Sequence, residues 1–243
     1  MFGAGTAKLV ADVLGAPAVC LNPRGRGSHA DFGAFDAMVD RIEAARVGLG
    51  LPRWIFWGMS GGGWLALTYA RRHPSALLGI VVESACLCFR ARIADPRCLM
   101  SPRHDAWRAQ LAPLGLLGAE AALDPSADGA WHEVAGIGAV YRVRGGPALV
   151  VAPAGTGAEM QAAIPDLLRF DARAWASSID VPTLVIAGSD DPVAPRAHVR
   201  AIHDAIAHSD YVEVDGAGHV PLTERRPEVR AAFERFCARI GDA

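Results

Sequence analysis

RWIFWGMSGGGWLAL, residues 53–67, runs from large apolar residues through a glycine-flanked serine into a second apolar series. Within it, Gly58-Met59-Ser60-Gly61-Gly62 fits G-x-S-x-G. That pattern sets a serine on a tight strand-to-helix turn, where its hydroxyl can attack a carbonyl. Three readings compete: a nucleophile, a serine that merely caps the next helix, and a glycine loop that cradles a phosphate. With 26 glycines in 243 residues and ten serines, such a match arises by accident roughly one time in nine, so context must decide.

The context is a repeated alternation of strand and helix. Ala16 to Asn22, APAVCLN, is a short apolar run closed by Pro23, as expected of a strand buried on both faces. Phe32, Phe35, Met38, Val39, Ile42 and Leu49 then recur at helical spacing, with Asp36, Asp40, Glu43 and Arg46 between them, which reads as a surface helix. RWIFWG is a second strand, GGWLALTYARRHP a helix stopped near Pro74, and LLGIVVESA a third strand. The rhythm resumes with VPTLVIAGSDDP, a helix through Val199, Ile202 and Ile206, and DYVEVDGAGH. A last helix begins at Pro227 and sets Val229, Phe233, Phe236 and Ile240 on one face. Such alternation implies an α/β fold with a mostly parallel sheet and helices on both sides. Residues 1–85 read as the first part of the core, 86–178 as an inserted cap or lid, and 179–243 as the second part.

Composition narrows the function. Half the residues are apolar (51%), enough for a sizeable core. A net charge of −2 offers no electrostatic footprint for nucleic acid or an anionic membrane. No basic, signal-like start and no membrane-length apolar run is present, so the chain reads as cytoplasmic and soluble. Cys20, Cys86, Cys88, Cys98 and Cys237 are odd in number and show no C-x-x-C, and buried thiols are the expectation. Nothing calls for a metal or an organic cofactor. The expected partner is a small-molecule substrate, with no nucleic acid and no membrane; a homo-oligomer stays open.

Functional residues of open parallel sheets gather beyond the carboxyl ends of the strands. Ser60, Asp191 and His219 each follow a predicted strand, in the chain order Ser, Asp, His. Serine needs an adjacent base to become a nucleophile, imidazole titrates near neutral pH, and a carboxylate can hold its tautomer. Asp190 is the rival acid, set second because Asp191 directly precedes the proline; Glu83, beyond GIVV, is a weaker rival. Gly58 and Gly62 are the small residues expected to let strand and helix approach around a strained Ser60. The phosphate cradle accounts for neither Asp191 nor His219.

NPRGRGS (22–28), GMSGGGWLALTYARRHP, VPTLVIAGSDDPVAP and GAGHVPLTERRPE together resemble the α/β-hydrolase superfamily, over nearly the whole chain. The turn at 22–28, the cap and the Arg-Arg-His-Pro helix end look most like the branch of proline iminopeptidases and related esterases. The resemblance implies an α/β-hydrolase fold with Ser60 as nucleophile, Asp191 as acid and His219 as base. It also implies an oxyanion hole with the N–H of Gly61 as one donor. The chain departs from the family at its start: further strands and a His-Gly-type loop, the source of the second oxyanion donor, precede APAVCLN in relatives. Gly3 or Ala4 is then the remnant of that loop, and a site with half a hole would be slowed.

The cap should choose the substrate. Trp107, Trp131, Phe170 and Trp175 either line an apolar pocket or pack cap against core. Arg90, Arg92, Arg97 and Arg103 could meet a carboxylate, but a solvated face is the preferred reading. With no acidic cluster in the segment to grip a free amino terminus, a carboxylic-ester, thioester or lactone hydrolase ranks first. An iminopeptidase-like aminopeptidase is second, and a non-catalytic binding protein of the same fold third.

Overall fold

A computed structural model describes residues 35–98, 101 and 167–241, isolated positions among 11–19, and the backbone of two short strands, 140–142 and 148–150. Of the strand predicted at 16–22, Pro17, Ala18 and Val19 are described: they are not in a strand, and Val19 is 57% exposed rather than buried on both faces. Cys20, Phe32 and most of the 86–178 segment lie outside the described residues.

The order of elements begins with α1 (Phe35–Gly48), β1 (Trp54–Met59), α2 (Gly61–Arg72), β2 (Leu77–Glu83) and α3 (Phe89–Ala94). It continues with β3 (Val140–Arg142), β4 (Ala148–Val150), β5 (Thr183–Gly188), α4 (Arg196–Ala205) and β6 (Ser209–Val214), then α5 (Pro221–Glu224) and α6 (Arg226–Gly241). Strands β1-β2-β5-β6 form one sheet in that order, every pair parallel, while β3 and β4 make a separate antiparallel pair.

Period-two alternation divides the sheet between two cores. Ile80 and Val82 of β2 and Val185 and Ala187 of β5 join α1, α2 and α4 on one face. Val81, Leu184 and Ile186 join Val229, Phe233 and Phe236 of α6 on the other. The central strands are therefore buried on both faces, which is why they read as unbroken apolar runs. Gly79 is where α6 presses closest: a Cβ there would stand 2.6 Å from the Phe236 ring.

Leu49, grouped with the helical positions by spacing, is exposed, because α1 ends at Gly48 and the chain turns through Gly50 at φ 67°. The described ends of the 86–178 segment are built into the core: Phe89, Ile93, Phe170 and Ala176 are buried in the same cluster as α1 and α2. Phe170 stacks on Trp64 with centroids 5.3 Å apart, and Arg71 lies over the ring of Trp175 at 4.9 Å, so both aromatics pack against α2. Arg92 corrects the solvated reading. It is 2% exposed, its guanidinium 4.7 Å from the ring centre of Phe89 and 5.5 Å from that of Trp64. Arg90 and Arg97 are exposed, Arg97 chelating Asp95, while Trp107, Trp131 and Arg103 lie outside the described residues. Cys86, Cys88 and Cys98 are buried thiols, that of Cys98 donating to the carbonyl of Val193 at 3.0 Å, and Cys237 is half-buried.

Candidate active site

The parallel register brings the carboxyl ends of four strands into line: Met59 pairs with Glu83, Glu83 with Ile186, and Ile186 with Val212. Whatever follows each strand is delivered to one edge of the sheet.

Ser60 follows β1 at φ 51° and ψ −117°, a conformation that costs a non-glycine residue about 1–3 kcal/mol. Its N–H donates to the carbonyl of Glu83 at 2.8 Å, and its carbonyl accepts the N–H of Gly63 at 2.9 Å. The side chain makes no capping bond to α2, so the hydroxyl is not consumed as a helix cap. Gly61 is the first residue of α2, where a helix leaves its N–H without an intrahelical acceptor. Gly3 lies outside the described residues.

The glycines around the turn are not equivalent. A Cβ on Gly58 would stand 2.1 Å from the carbonyl oxygen of Gly62, and one on Gly63 would stand 2.5 Å from the Cβ of Ala85. A Cβ on Gly62 meets nothing within 4 Å among the described residues. Close approach therefore falls on Gly58 and Gly63, the helical residue whose missing side chain faces β2, rather than on the motif's last glycine.

Asp191 sits in the turn after β5 with a fully buried side chain. Its Oδ1 accepts the N–H groups of Val193 and Ala194 at 2.8 and 2.9 Å. The imidazole of His219 is bound through Nδ1, 2.9 Å from Oδ2 and 3.1 Å from Oδ1. With Nδ1 on the carboxylate, Nε2 is the nitrogen suited to accept a proton. Asp190 is exposed and accepts from the hydroxyl of Ser189 at 3.2 Å. Of the two candidates, the buried residue is the one bonded to the imidazole.

Main-chain bonds lock the acid and histidine loops together, with Asp190 N–H on Ala217 O at 2.9 Å and Ser189 N–H on Val214 O at 3.1 Å. A Cβ on Gly188 would stand 2.1 Å from Gly218 O, so only glycine lets the loops close to this distance. Glu224, which sequence reasoning missed, brackets the histidine: its carboxylate accepts the N–H of Gly218 at 2.6 Å and that of Val220 at 3.0 Å. An acidic residue five positions after a candidate base was the available signal.

Glu83, the weaker rival acid, is buried beside this group rather than hydrogen-bonded in the place of Asp191. Burial pushes its carboxyl up to about 6, against the N–H bonds it accepts from Leu222 and Trp57. Ser84, next in the chain, also has positive φ, 52°, and its buried hydroxyl has no hydrogen-bond partner among the described residues. Among the described residues no group of three or more His, Cys, Asp or Glu could hold a metal, and no helix is long and apolar enough to cross a membrane.

A parallel sheet between helix layers, with a strained serine and an acid–imidazole pair at one edge, defines an α/β protein of the hydrolase kind. The chain belongs to the alpha/beta hydrolase family, whose model matches residues 2–232. It is 26% identical over 211 residues to a "Probable proline iminopeptidase" of Leptolyngbya boryana, covering 75% of this chain and 64% of that protein. It is 28% identical over 185 residues to a "Pimeloyl-[acyl-carrier protein] methyl ester esterase" of Neisseria meningitidis, covering 74% and 67%. The matches thus span about two thirds of these relatives' lengths. An α/β fold family hydrolase from Bacillus anthracis superposes with a TM-score of 0.68 at 16% identity, covering 94% of this chain and 85% of that one.

Proposed function

We propose that the chain is a serine hydrolase that cleaves a carboxylic ester, thioester or lactone of a small molecule through an acyl-enzyme on Ser60. The observation that carries the reading is the conformation of Ser60: strained, uncapped and set on the strand-to-helix turn at the sheet edge where Asp191 holds His219.

The hydroxyl of Ser60 attacks the substrate carbonyl while Nε2 of His219 takes its proton. Asp191 accepts from Nδ1–H, which fixes the tautomer that leaves Nε2 basic and stabilises the imidazolium. The N–H of Gly61 donates to the developing oxyanion. Collapse expels the alcohol or thiol, which receives the proton from His219, and leaves Ser60 acylated. Water, deprotonated by the same nitrogen, then attacks the acyl group and restores the free hydroxyl. No step calls for a cofactor.

A second reading, an iminopeptidase-like aminopeptidase, is favoured by the similarity to the Leptolyngbya boryana protein. Turnover of p-nitrophenyl esters compared with proline p-nitroanilide separates the two. Ester turnover that disappears in Ser60→Ala supports the first reading, and turnover of the anilide alone favours the second. Ester hydrolysis undiminished in folded Ser60→Ala would remove Ser60 from the mechanism.

A further inference from the structure

Glu83, the last residue of β2, has no solvent exposure, yet both oxygens of its carboxylate are engaged. Oε2 accepts the indole N–H of Trp57 in β1 at 2.8 Å, and Oε1 accepts the backbone N–H of Leu222 in α5 at 2.8 Å. Its own carbonyl accepts the N–H of Ser60 at 2.8 Å. One residue thereby touches the strand that leads to Ser60, the amide of Ser60 itself, and the helix that begins two residues after His219.

A buried carboxylate is a poor stabiliser, because desolvation opposes its charge. What it supplies is geometry: two N–H donors from separate elements converge on one rigid acceptor. Of the charged groups facing it, the imidazole of His219 favours its ionised form and Asp191 opposes it. We propose that Glu83 is a positioning residue of the Ser60 site, its carboxylate clamping the start of the helix after His219 to the strand that carries Ser60. The proposal rests on the hydrolase reading above. It gives a buried acid outside the Ser60, His219 and Asp191 set a task in aligning that set.

As a carboxylate, Glu83 accepts both N–H groups. Once protonated, the oxygen that carries the proton is a much weaker acceptor and brings a donor of its own, and one arm of the clamp loosens. Glu83→Gln imposes the same conflict at every pH while keeping the volume. Trp57→Phe removes the indole donor and leaves the Leu222 arm in place.

The test measures p-nitrophenyl butyrate turnover by the 243-residue chain and its Glu83→Gln, Trp57→Phe and double variants across the acid limb of the pH profile. Beside it, the indole N–H resonance of Trp57 is followed by NMR against pH. Glu83→Gln is expected to lower kcat about ten- to a hundredfold, the scale produced by displacing a reacting group by up to 1 Å, with KM within about twofold. Its acid limb should lose one ionisation. The double variant should recover part of the loss, because the amide NH2 no longer faces an indole N–H. In the parent chain the indole resonance should titrate with a midpoint of about 6, and in Glu83→Gln it should not.

A Glu83→Gln protein with parental kcat and an unchanged acid limb overturns the clamp, as does an indole resonance indifferent to pH. Should Glu83→Gln fail to fold, Trp57→Phe and the parent's titration decide in its place. A parent chain that turns over no ester but whose indole titrates keeps the clamp and removes the ester-hydrolase reading. Without turnover and without titration, both fail.

Discussion

Replacing Gly58 with alanine puts a methyl group where the backbone of α2 already lies. Its Cβ would stand 2.1 Å from the carbonyl oxygen of Gly62, 2.5 Å from that carbonyl's carbon and 2.8 Å from the nitrogen of Gly63. All three are main-chain atoms, which cannot swing aside as the tip of a side chain can. To reach even 3.0 Å, below which Cβ contacts essentially never fall, the start of α2 must withdraw by about 1 Å. Ser60 and Gly61 join that helix to β1 and must move with it. A shift of about 1 Å in reacting groups costs roughly a hundredfold in kcat. Overpacking of this kind destabilises by about 1–3 kcal/mol or more, at about 2–4 °C per kcal/mol for a chain of this size. Gly58→Ala is therefore expected to lose most ester turnover and at least a few degrees of Tm. Gly62→Ala, whose methyl meets nothing within 4 Å among the described residues, should keep both. Kinetics and thermal unfolding of the two variants side by side make the comparison. Parental kcat and Tm in Gly58→Ala, or equal damage from Gly62→Ala, would refute the assignment of close contact at the turn.

Exchange of the buried acid, Asp191→Asn, should cost on the order of 10⁴-fold in kcat, the scale for losing the tautomer-holding carboxylate of a serine triad, while Asp190→Asn stays near the parent; the reverse order in steady-state kinetics would reassign the acid. Ser60→Gly should abolish turnover yet raise thermal stability by up to about 1 kcal/mol, because glycine adopts positive φ without strain; a fall in Tm would show that the serine side chain stabilises the turn. Glu83 makes stability depend on pH with a definite sign. Its carboxyl holds a proton to about 6 in the folded chain against 4.5 for the unperturbed group, so its stabilising contribution is present below 4.5 and lost as pH rises through about 6. The difference corresponds to about 2 kcal/mol, which should appear in denaturant unfolding as a pH slope of the parent chain that Glu83→Gln flattens.

Much of the core was legible because its signals are local. The runs Leu77–Val82 in β2 and Leu184–Gly188 in β5 are unbroken by polar residues since helices cover both sheet faces, and Asp191 follows the second of them. The choice of Asp191 over its neighbour also came from local turn chemistry. What was not legible depended on contacts between distant segments. Gly62 completes the motif, but the residue whose side chain would collide with β2 is Gly63, a fact set by the rotation of α2. Arg92 looked solvated from its charge, yet two aromatic rings cover it, one of them 28 residues earlier on α2. Glu83 read only as a weaker rival to Asp191, and Glu224 drew no attention. Their partners become visible only when β1, β2 and α5 are brought together.

Fluorophosphonate labelling tests most directly whether Ser60 is an activated nucleophile, since it needs no knowledge of the substrate. Intact mass after incubation, followed by peptide mapping, should show a single adduct on Ser60 that is lost in Ser60→Ala and strongly slowed in Asp191→Asn. A folded chain that takes up no probe, or that carries it on another residue, would contradict the assignment of Ser60, His219 and Asp191 as one catalytic unit.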